Sequence, residues 1–403
     1  MNVKTSLYVS KKHRRKRQRG NGGIFALLAV IIAIIILVVL FWKPALLYLK
    51  DALDKFVGDV EIVETPRNTP IITEVVTEAP TPTVTFTETV TPPAVQTAKD
   101  VKAVYIPMSI LLSNGAEWVE SYAQKAKEAN VNAFVFTVKD EMGRVWIYNQ
   151  ELVDRDQQVY NTYRANLKLE EYKRVLDNVP DWTKIMPILE KYNIKPIARL
   201  YCFRDNATAY FALMDHGIMK SGTTQKWFDN NNRRWLSPYS SVAKDYIKQV
   251  AQIAIDAGFK EIELYDALFP YEGSVNTTGH KFEDNRTKEQ VITEFIDNMG
   301  EFCKKKDVDL SVYVSVDAIL NKMPAASGAN IDYAKLNVDI VSLNGTGSAM
   351  NDVIKVVDAK KIRIYANYSE NVSNDLKNSN DGIKTFVVSD GEMAVDMDKI
   401  KLP

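Results

Sequence analysis

Side chains that can exchange protons or bind sugars follow several short apolar segments of this chain. Carboxylates come at or just after the end of four segments, as Asp140, Asp266, Asp317 and Asp390, and Asp205 adds a fifth if its loop is included. Two carboxylates facing one another across a cleft can hydrolyse a glycosidic bond: one protonates the leaving oxygen, and the other attacks the anomeric carbon or activates water. Basic, amide and phenol groups accompany them at Lys139, Arg144, Arg199, Arg204, Asn344, Asn367 and Tyr368.

Each of these residues also has a simpler interpretation. Aspartate and asparagine favour turns and helix caps, so any single one could be a turn former, and their joint clustering is the better evidence. Aromatic residues in the intervening loops could stack on sugar rings or could equally pack into the core. They are Trp146, Trp227, Trp235, Tyr201, Tyr239 and Tyr271.

Eight short segments rich in Val, Ile, Tyr and Phe are predicted to be strands that position these groups. Amphipathic stretches lie between them, for example at 115–129 and 241–257, and Asp181 and Ser348 could cap helices at 182–193 and 349–359. The predicted strands are 101–107, 132–139, 195–201, 261–267, 310–315, 339–344, 362–368 and 383–389.

Strands that alternate with helices indicate an α/β fold with a parallel sheet, and eight such units in about 300 residues favour a (β/α)8 TIM-type barrel. An open doubly wound sheet is the alternative. The first predicted strand is not followed by a Gly-rich phosphate-binding turn, which argues against a nicotinamide-binding fold. In a barrel, the polar residues at the strand ends would meet at one face.

The first 42 residues have the composition of a membrane anchor. Residues 1–23 contain eight Lys and Arg and no acidic residue, and residues 24–42 are nineteen uncharged, mostly aliphatic residues. At 1.5 Å per residue such a run spans the hydrocarbon of a bilayer, and the basic cluster predicts a cytoplasmic N-terminus. A cleaved signal peptide would have a shorter apolar core, so we expect an uncleaved single-pass anchor in the lipid bilayer.

Residues 43–99 are predicted to be a juxtamembrane segment followed by a disordered Thr/Pro-rich stalk. Eleven Thr and six Pro lie between Val60 and Ala98, with almost no large aromatic residue, which leaves too little apolar surface to offset chain entropy. The folded domain should therefore occupy residues 100–403. It would lie outside the cell membrane, held away from the bilayer by the stalk.

Composition excludes several classes of function for this domain. Eight of the 51 Lys and Arg lie in the N-terminal tail, which leaves 43 against 51 acidic residues, so a nucleic-acid partner is not expected. The histidines are only His13, His216 and His280, too few for a His-rich zinc site, and Cys202 and Cys303 lack metal-type spacing. No cofactor or metal is predicted, although clustered carboxylates could hold Ca²⁺.

At the strand ends the sequence resembles a bacterial family of predicted glycoside hydrolases, amylase-like barrels that are often exported or attached to the cell envelope. The resemblance covers most of residues 101–345 and includes matches at Lys139, Asp140, Arg199, Asp205 and Asp317. It is carried by VKDEMGRV (138–145), ARLYCFRDN (198–206), RWLSPYS (234–240), EIELYDALFP (261–270) and SVDA (315–318).

The sequence departs from this family at the residue that the resemblance makes the nucleophile. The family has Asp where this chain has Tyr265, Arg where it has Leu268, and Asp or Asn where it has Ser237. Strand alternation puts Glu263 and Tyr265 inside the barrel and turns Asp266 outward unless the strand bulges.

Two catalytic hypotheses follow from the resemblance. Either a bulge returns Asp266 to the site, with Asp317 or Asp140 as the acid, or Tyr265 is itself the nucleophile, as in sialidases. Substrate contacts are expected from Lys139, Arg199, Asp205, Trp235 and Asn344.

The sequence therefore predicts a membrane-anchored, extracellular glycoside-hydrolase-like protein that acts on a polysaccharide or a cell-envelope glycan. Two alternatives remain open. A catalytically degenerate barrel would bind glycan or a protein partner without cleavage, and a purely structural envelope protein would have no affinity for glycan.

Overall fold

The computed structural model describes residues 100–163, 173–344, 349–369, 371–378 and 382–403. The predicted cytoplasmic tail, transmembrane helix and stalk, and the predicted Ser348 cap, all lie outside these ranges. Among the helices of the described residues, none is both long and apolar enough to cross a membrane.

Eight parallel strands close into a barrel in their order along the chain, and the last of them pairs back to the first. All eight predicted strands are confirmed, with boundaries that agree to within two residues. The barrel strands are β1 (Lys102–Ile106), β2 (Ala133–Lys139), β3 (Lys195–Tyr201), β5 (Glu261–Tyr265), β7 (Asp309–Val314), β8 (Ile340–Asn344), β9 (Ile362–Asn367) and β10 (Thr385–Ser389). The short strands β4 (Met219–Lys220) and β6 (Thr278–Gly279) form a separate antiparallel pair.

Helices connect successive barrel strands, as a TIM-type barrel requires. The predicted helix at 115–129 begins earlier, at Met108, and has a break at Gly115, where φ is 68°. Ser240 caps the helix Ser241–Asp256 by accepting a hydrogen bond from the Ala243 amide, whereas Asp181 precedes the helix Trp182–Lys191 without a side-chain cap. The helices are α1 (Met108–Ala126), α2 (Gln150–Tyr163), α3 (Trp182–Lys191), α4 (Ser241–Asp256), α5 (Lys288–Lys304), α6 (Val316–Ile319), α7 (Met350–Val356) and α8 (Val372–Asn378).

The strands bury both of their faces, but against different surroundings. Outward-facing side chains such as Phe134, Phe136 and Leu264 pack on the helices in the large apolar core. Inward-facing side chains such as Val135 and Ile197 form a smaller cluster inside the barrel. This period of two decides which side chains can reach the barrel mouth.

A buried ionic group holds the lower part of the barrel together. Glu261 accepts hydrogen bonds from Arg363 (2.5 and 3.1 Å), from Lys195 (2.8 Å) and from the Ser311 hydroxyl (2.7 Å). Burial raises the pKa of the Glu261 carboxyl, but Arg363 and Lys195 more than offset this and hold the pKa well below its usual value. These side chains fill the interior, so the barrel is a packed core rather than a channel.

The two cysteines, Cys202 and Cys303, are both buried and are not joined by a disulfide. Burial raises the pKa of each thiol to about 12. Both thiols are therefore core side chains rather than nucleophiles.

Candidate active site

Three tyrosines from neighbouring strands form a stacked layer at the carboxyl ends of the strands. The ring centroids of Tyr201 and Tyr265 are 4.5 Å apart, and those of Tyr265 and Tyr313 are 4.4 Å apart with nearly parallel planes. All three side chains are partly exposed. The three form the floor of the barrel mouth, and we call them the tyrosine floor; the expectation that Glu263 and Tyr265 face the interior is confirmed.

Arg199 lies beneath the tyrosine floor and is held by Glu263. The Arg199 Nε atom donates to Glu263 Oε2 at 2.9 Å, and the Tyr365 hydroxyl lies 2.7 and 2.8 Å from the two Glu263 carboxylate oxygens. The guanidinium is 4.9 Å from the ring centroids of both Tyr265 and Tyr365. Arg199 therefore lies inside the barrel under the mouth, and its charge is already balanced by Glu263.

Lys139 and Asp205 form a buried ion pair of 2.8 Å in which both side chains are completely covered. The register of β2 shifts between Thr137 and Lys139, so Lys139 faces the helix layer, with its ammonium 5.8 Å from the Tyr246 ring of α4. Bulges of this kind move a side chain to the other face of a strand. The pair thus lies between the barrel and α4, away from any surface that a ligand could reach, although the sequence placed both residues at the mouth.

Asp140 is held in its own turn. Its carboxylate accepts hydrogen bonds from the Arg144 amide (2.9 Å) and from the Trp146 indole (3.3 Å). Burial raises the pKa of this carboxyl despite these hydrogen bonds and the charge of Arg144. Asp317 is exposed in the first turn of α6, and Asn344 is exposed at the end of β8.

Asp266 reaches the carboxyl end of the barrel by a route that strand alternation does not predict. The register of β5 is continuous with both neighbours, and the next residue, Asp266, has a left-handed backbone with φ of 50°. Its carboxylate accepts a hydrogen bond from the Tyr271 hydroxyl (3.2 Å) and lies 3.4 Å from Arg204 Nε. The side chain therefore joins the loops above the barrel instead of the helix layer, and it needs no bulge to do so.

Arg204 is the centre of a group of carboxylates, which we call the Arg204 network. Its guanidinium nitrogens lie 3.2 Å from Asp229, 3.4 Å from Asp266, 3.3 Å from Glu272 and 3.7 Å from Glu141. Burial lowers the pKa of this guanidinium, but the surrounding carboxylates outweigh burial and raise the pKa above its usual value. Four carboxyl groups thus contact one guanidinium, which remains charged.

The electrostatics of the Arg204 network act mainly on Asp266, which is only 4% exposed. Burial raises the pKa of Asp266 to about 6, with Arg204 opposing the shift and the charges of Glu141 and Glu272 adding to it. A carboxylic acid that holds its proton near pH 6 is suited to act as a general acid.

Trp235 supports this network from below. Its ring has no exposed surface, its indole N–H donates to Asp229 at 2.9 Å, and the Arg204 guanidinium lies 4.9 Å from its centroid. The edge of Tyr271 packs against it, with centroids 6.0 Å apart. In this arrangement Trp235 orients Arg204 and offers no free face to a sugar. Trp227 is equally covered, at 1% exposure.

Sequence reasoning missed Glu141 and Glu272 as site residues. A signal was present for each, because Glu141 follows Asp140 within the VKDEMGRV run and Glu272 follows Tyr271 in the loop after β5. Their convergence on Arg204 depends on three loops meeting above the barrel. Within the described ranges, no group of three or more His, Cys, Asp or Glu is arranged to hold a metal ion.

Two serine–histidine pairs tie the same loops together. Ser237 lies 3.0 Å from His280 Nδ1, and Ser240 lies 2.8 Å from His216 Nδ1. Burial lowers the pKa of His280 to about 4. Because Ser237 is only 1% exposed, this pair is structural in the conformation seen here.

The search of curated proteins finds no match. A hypothetical protein from Ruminiclostridium thermocellum is 23% identical, with 52% of this chain and 96% of that chain covered and a TM-score of 0.40. The PgaB (BpsB) glycoside hydrolase domain from Bordetella bronchiseptica is 11% identical, with 73% of this chain and 94% of that chain covered and a TM-score of 0.49. The GH36 alpha-galactosidase AgaB from Geobacillus stearothermophilus is 8% identical, with 75% of this chain covered and a TM-score of 0.47. Only 40% of that protein is covered, so this chain spans less than half of it.

Family membership is decided by the sequence match, which confirms the resemblance seen at the strand ends. Residues 103–387 match the family described as "Putative glycosyl hydrolase domain". The match begins in β1 and ends in β10, and it therefore takes in the whole barrel together with the loops of the Arg204 network. This chain belongs to that family of glycosyl hydrolase domains.

Proposed function

We propose that the barrel hydrolyses glycosidic bonds of an envelope or environmental polysaccharide, with Asp266 as the proton donor. The observation that supports this most directly is the environment of Asp266: a buried carboxyl at the carboxyl end of β5, hydrogen-bonded by Tyr271, with a pKa near 6. A protonated acid there could deliver its proton to the oxygen of the leaving sugar.

The second carboxylate of the reaction would be Glu272 or Glu141. Both contact the same guanidinium as Asp266, and their side chains are 37% and 32% exposed, so water has access to them. Either could activate a water molecule or stabilise the developing positive charge on the sugar ring. The tyrosine floor would carry the ring, since aromatic faces stack on sugars at barrel mouths.

The alternative nucleophile, Tyr265, has less support. Burial raises the pKa of its phenol far above the usual value, and the neighbouring Tyr313 and Tyr201 raise it further. A phenol in this position resists deprotonation and is a poor nucleophile. The hypothesis from the sequence, in which Asp317 or Asp140 is the acid, stays a prediction; we assign the acid role to Asp266 because it is buried and hydrogen-bonded by Tyr271.

A second candidate function is glycan binding without cleavage. The observation that favours it is the tyrosine floor itself, because Tyr265 occupies the position at which the resemblance expects an Asp nucleophile. Asp266 is also paired with Arg204 at 3.4 Å, as it would be in a structural network. Such a barrel would hold glycan on the floor and release no product.

We further propose that residues 24–42 anchor the chain in the cell membrane and that the barrel works outside it. The basic residues before this apolar segment support a cytoplasmic N-terminus. The chain enters the barrel just before Lys102, at the amino end of β1, which is the end opposite the tyrosine floor. The mouth would therefore be free to meet a polysaccharide.

The two candidate functions are separated by measuring binding and product release on the same samples. The full-length protein in detergent is incubated with a panel of oligosaccharides, and the variants Asp266→Asn and Glu392→Gln are treated in the same way. Glu392→Gln is the control, because Glu392 is exposed after β10, across the barrel from β5. Release that is lost in Asp266→Asn and kept in Glu392→Gln supports hydrolysis. Binding without release by the unmutated protein rejects hydrolysis and supports the binding candidate.

A further inference from the structure

The rim beside Asp266 carries more negative than positive charge. The cations that pair with carboxylates at this rim are Arg204 and Arg233, and Arg233 Nε lies 3.0 Å from Glu141; Arg234, in the same loop, donates to Asn206 instead. The carboxylates in contact with these two cations are Glu141, Asp229, Asp266 and Glu272. When Asp266 is ionised, two of the four negative charges have no cation inside this network, and when Asp266 holds its proton one of them has none.

One buried oxygen of the network lacks a hydrogen-bond donor. Asp266 Oδ2 receives no hydrogen bond from the residues that the structure describes, and its contact with Arg204 Nε at 3.4 Å lacks hydrogen-bond geometry. Buried carboxylate oxygens normally accept hydrogen bonds, and an unmet acceptor is costly. The atom is suited to accept a donor from a bound ligand, and an ammonium group provides both donors and charge.

The aromatic rings at the mouth favour the same kind of ligand. The faces of aromatic rings attract cations, and the rings here already contact the arginines of the chain, Tyr265 with Arg199 at 4.9 Å and Tyr271 with Arg204 at 5.5 Å. Arg199 is neutralised by Glu263 beneath the tyrosine floor, so it does not offset the negative rim. An anionic sugar would meet unfavourable charge at this rim, and a neutral sugar would leave its excess negative charge uncompensated.

We propose that the mouth selects glycans with free amino groups, such as an oligomer of unacetylated hexosamine. The ammonium of one sugar would contact Glu272 and Glu141 at the rim and donate toward Asp266, while its ring rests on the tyrosine floor. This inference rests on the proposed function, since it assigns the substrate class of the same mouth.

The test compares three matched probes on the full-length protein in detergent: an oligomer of β-1,4-linked glucosamine, the same oligomer fully N-acetylated, and an oligouronate of equal length. Affinities are measured by calorimetry at low and at high salt. We expect the glucosamine oligomer to bind about tenfold or more tightly than its acetylated counterpart, and the difference to shrink as salt increases.

The variants assign this preference to named carboxylates. Glu272→Gln, alone and combined with Glu141→Gln, should lower the affinity for the glucosamine oligomer far more than the affinity for the acetylated oligomer, and so remove most of the preference for the amine. Both side chains are partly exposed, and Arg204 still contacts Asp229 and Asp266 in the variants, so we expect the variants to fold. Thermal melting checks this. Glu392→Gln is the matched control and should keep the preference.

Equal or tighter binding of the acetylated oligomer or of the oligouronate would overturn the inference while leaving glycan action at the mouth intact. A preference for the amine that survives in the double variant would overturn the assignment to this rim. If no probe of any charge binds or is cleaved, the proposed function fails as well.

Discussion

At the scale of single residues, the backbone conformation of Asp266 decides where its carboxyl group lies. A left-handed conformation is uncommon outside glycine, although aspartate adopts it more readily than most residues, and such conformations recur at functional sites. With φ of 50°, the chain turns directly after β5 and the carboxyl group meets Tyr271 and Arg204. An extended residue at this position would have sent the carboxyl group toward the helices.

Replacing Asp266 should abolish general acid catalysis. We expect Asp266→Asn to lower the rate of product release by about 100-fold or more, because the amide cannot donate a proton to the leaving oxygen. In the unmutated protein the rate should fall as pH rises through about 6, where burial has placed the pKa of this acid. A rate that stays constant from pH 5 to about pH 8 would assign the proton donor to another residue.

The same carboxyl should make stability depend on pH. Its folded-state pKa of about 6 lies above the ordinary value of 3.8, so the folded state favours the protonated form, and this contribution is lost as pH rises through about 6. Asp266→Asn has no charge to bury. The unfolding free energy of the variant minus that of the unmutated protein should therefore increase by about 3 kcal/mol from about pH 4 to about pH 8. Urea titrations of both proteins at each pH measure this, and Glu392→Gln should show no such gain.

At the scale of secondary-structure elements, the register shift in β2 turns Lys139 out of the barrel and into an ion pair with Asp205. The Lys139 ammonium also donates to the carbonyl of Tyr201 at 2.5 Å, and Asp205 accepts a hydrogen bond from the Thr208 amide at 2.8 Å. The pair thereby joins the end of β2 to the loop after β3, which carries Arg204. This loop positions the Arg204 network.

Breaking the pair from one side should destabilise the domain strongly. Lys139→Met would leave Asp205 buried and unpaired, and we expect a loss of about 3 to 5 kcal/mol of unfolding free energy. The double variant Lys139→Met with Asp205→Asn removes both charges and should recover part of that loss. Denaturant titrations of the unmutated protein, the two single variants and the double variant measure both effects. Unchanged stability with weaker glycan binding would instead support the substrate-binding role that the sequence suggested.

The loops above the barrel should also respond to acid through His280. Burial lowers its folded-state pKa to about 4 from the ordinary 6.5, so the neutral ring is favoured on folding. The stability that this neutral ring contributes is present above pH 6.5 and is lost as pH falls toward about 4, by up to about 3 kcal/mol. His280→Gln keeps a partner for Ser237 but does not titrate. Its thermal melting temperature should therefore fall less between about pH 7 and pH 5; an unchanged slope would contradict this role.

At the scale of the whole molecule, the two ends of the barrel carry different groups of residues. The amino end of β1 receives the preceding chain, and the C-terminal segment packs beside it, with the Leu402 amide donating to the Ala129 carbonyl at 2.9 Å. The carboxyl end carries the tyrosine floor and the Arg204 network. This division agrees with the rule that TIM-type barrels keep their chemistry at the carboxyl ends of the strands.

The proposed anchor predicts a defined topology. The full-length protein should sediment with membranes and resist extraction by carbonate, whereas a chain without residues 1–42 should not, because the apolar segment is gone. A tag placed after Pro403 should be cut by protease added outside intact cells, and a tag placed before Met1 should be protected. The opposite pattern of protection would place the barrel in the cytoplasm.

The sequence by itself determined the eight barrel strands and the inward direction of Glu263 and Tyr265, because the period of two and the apolar runs are local properties of the chain. It also indicated the family, whereas the role of Asp266 stays a prediction. Only the tertiary structure decided that Lys139 faces α4, that Trp235 has no free face, and that Glu141 and Glu272 meet at Arg204. A register shift, the burial of a ring and the convergence of three loops depend on residues distant in sequence, so local patterns cannot determine them.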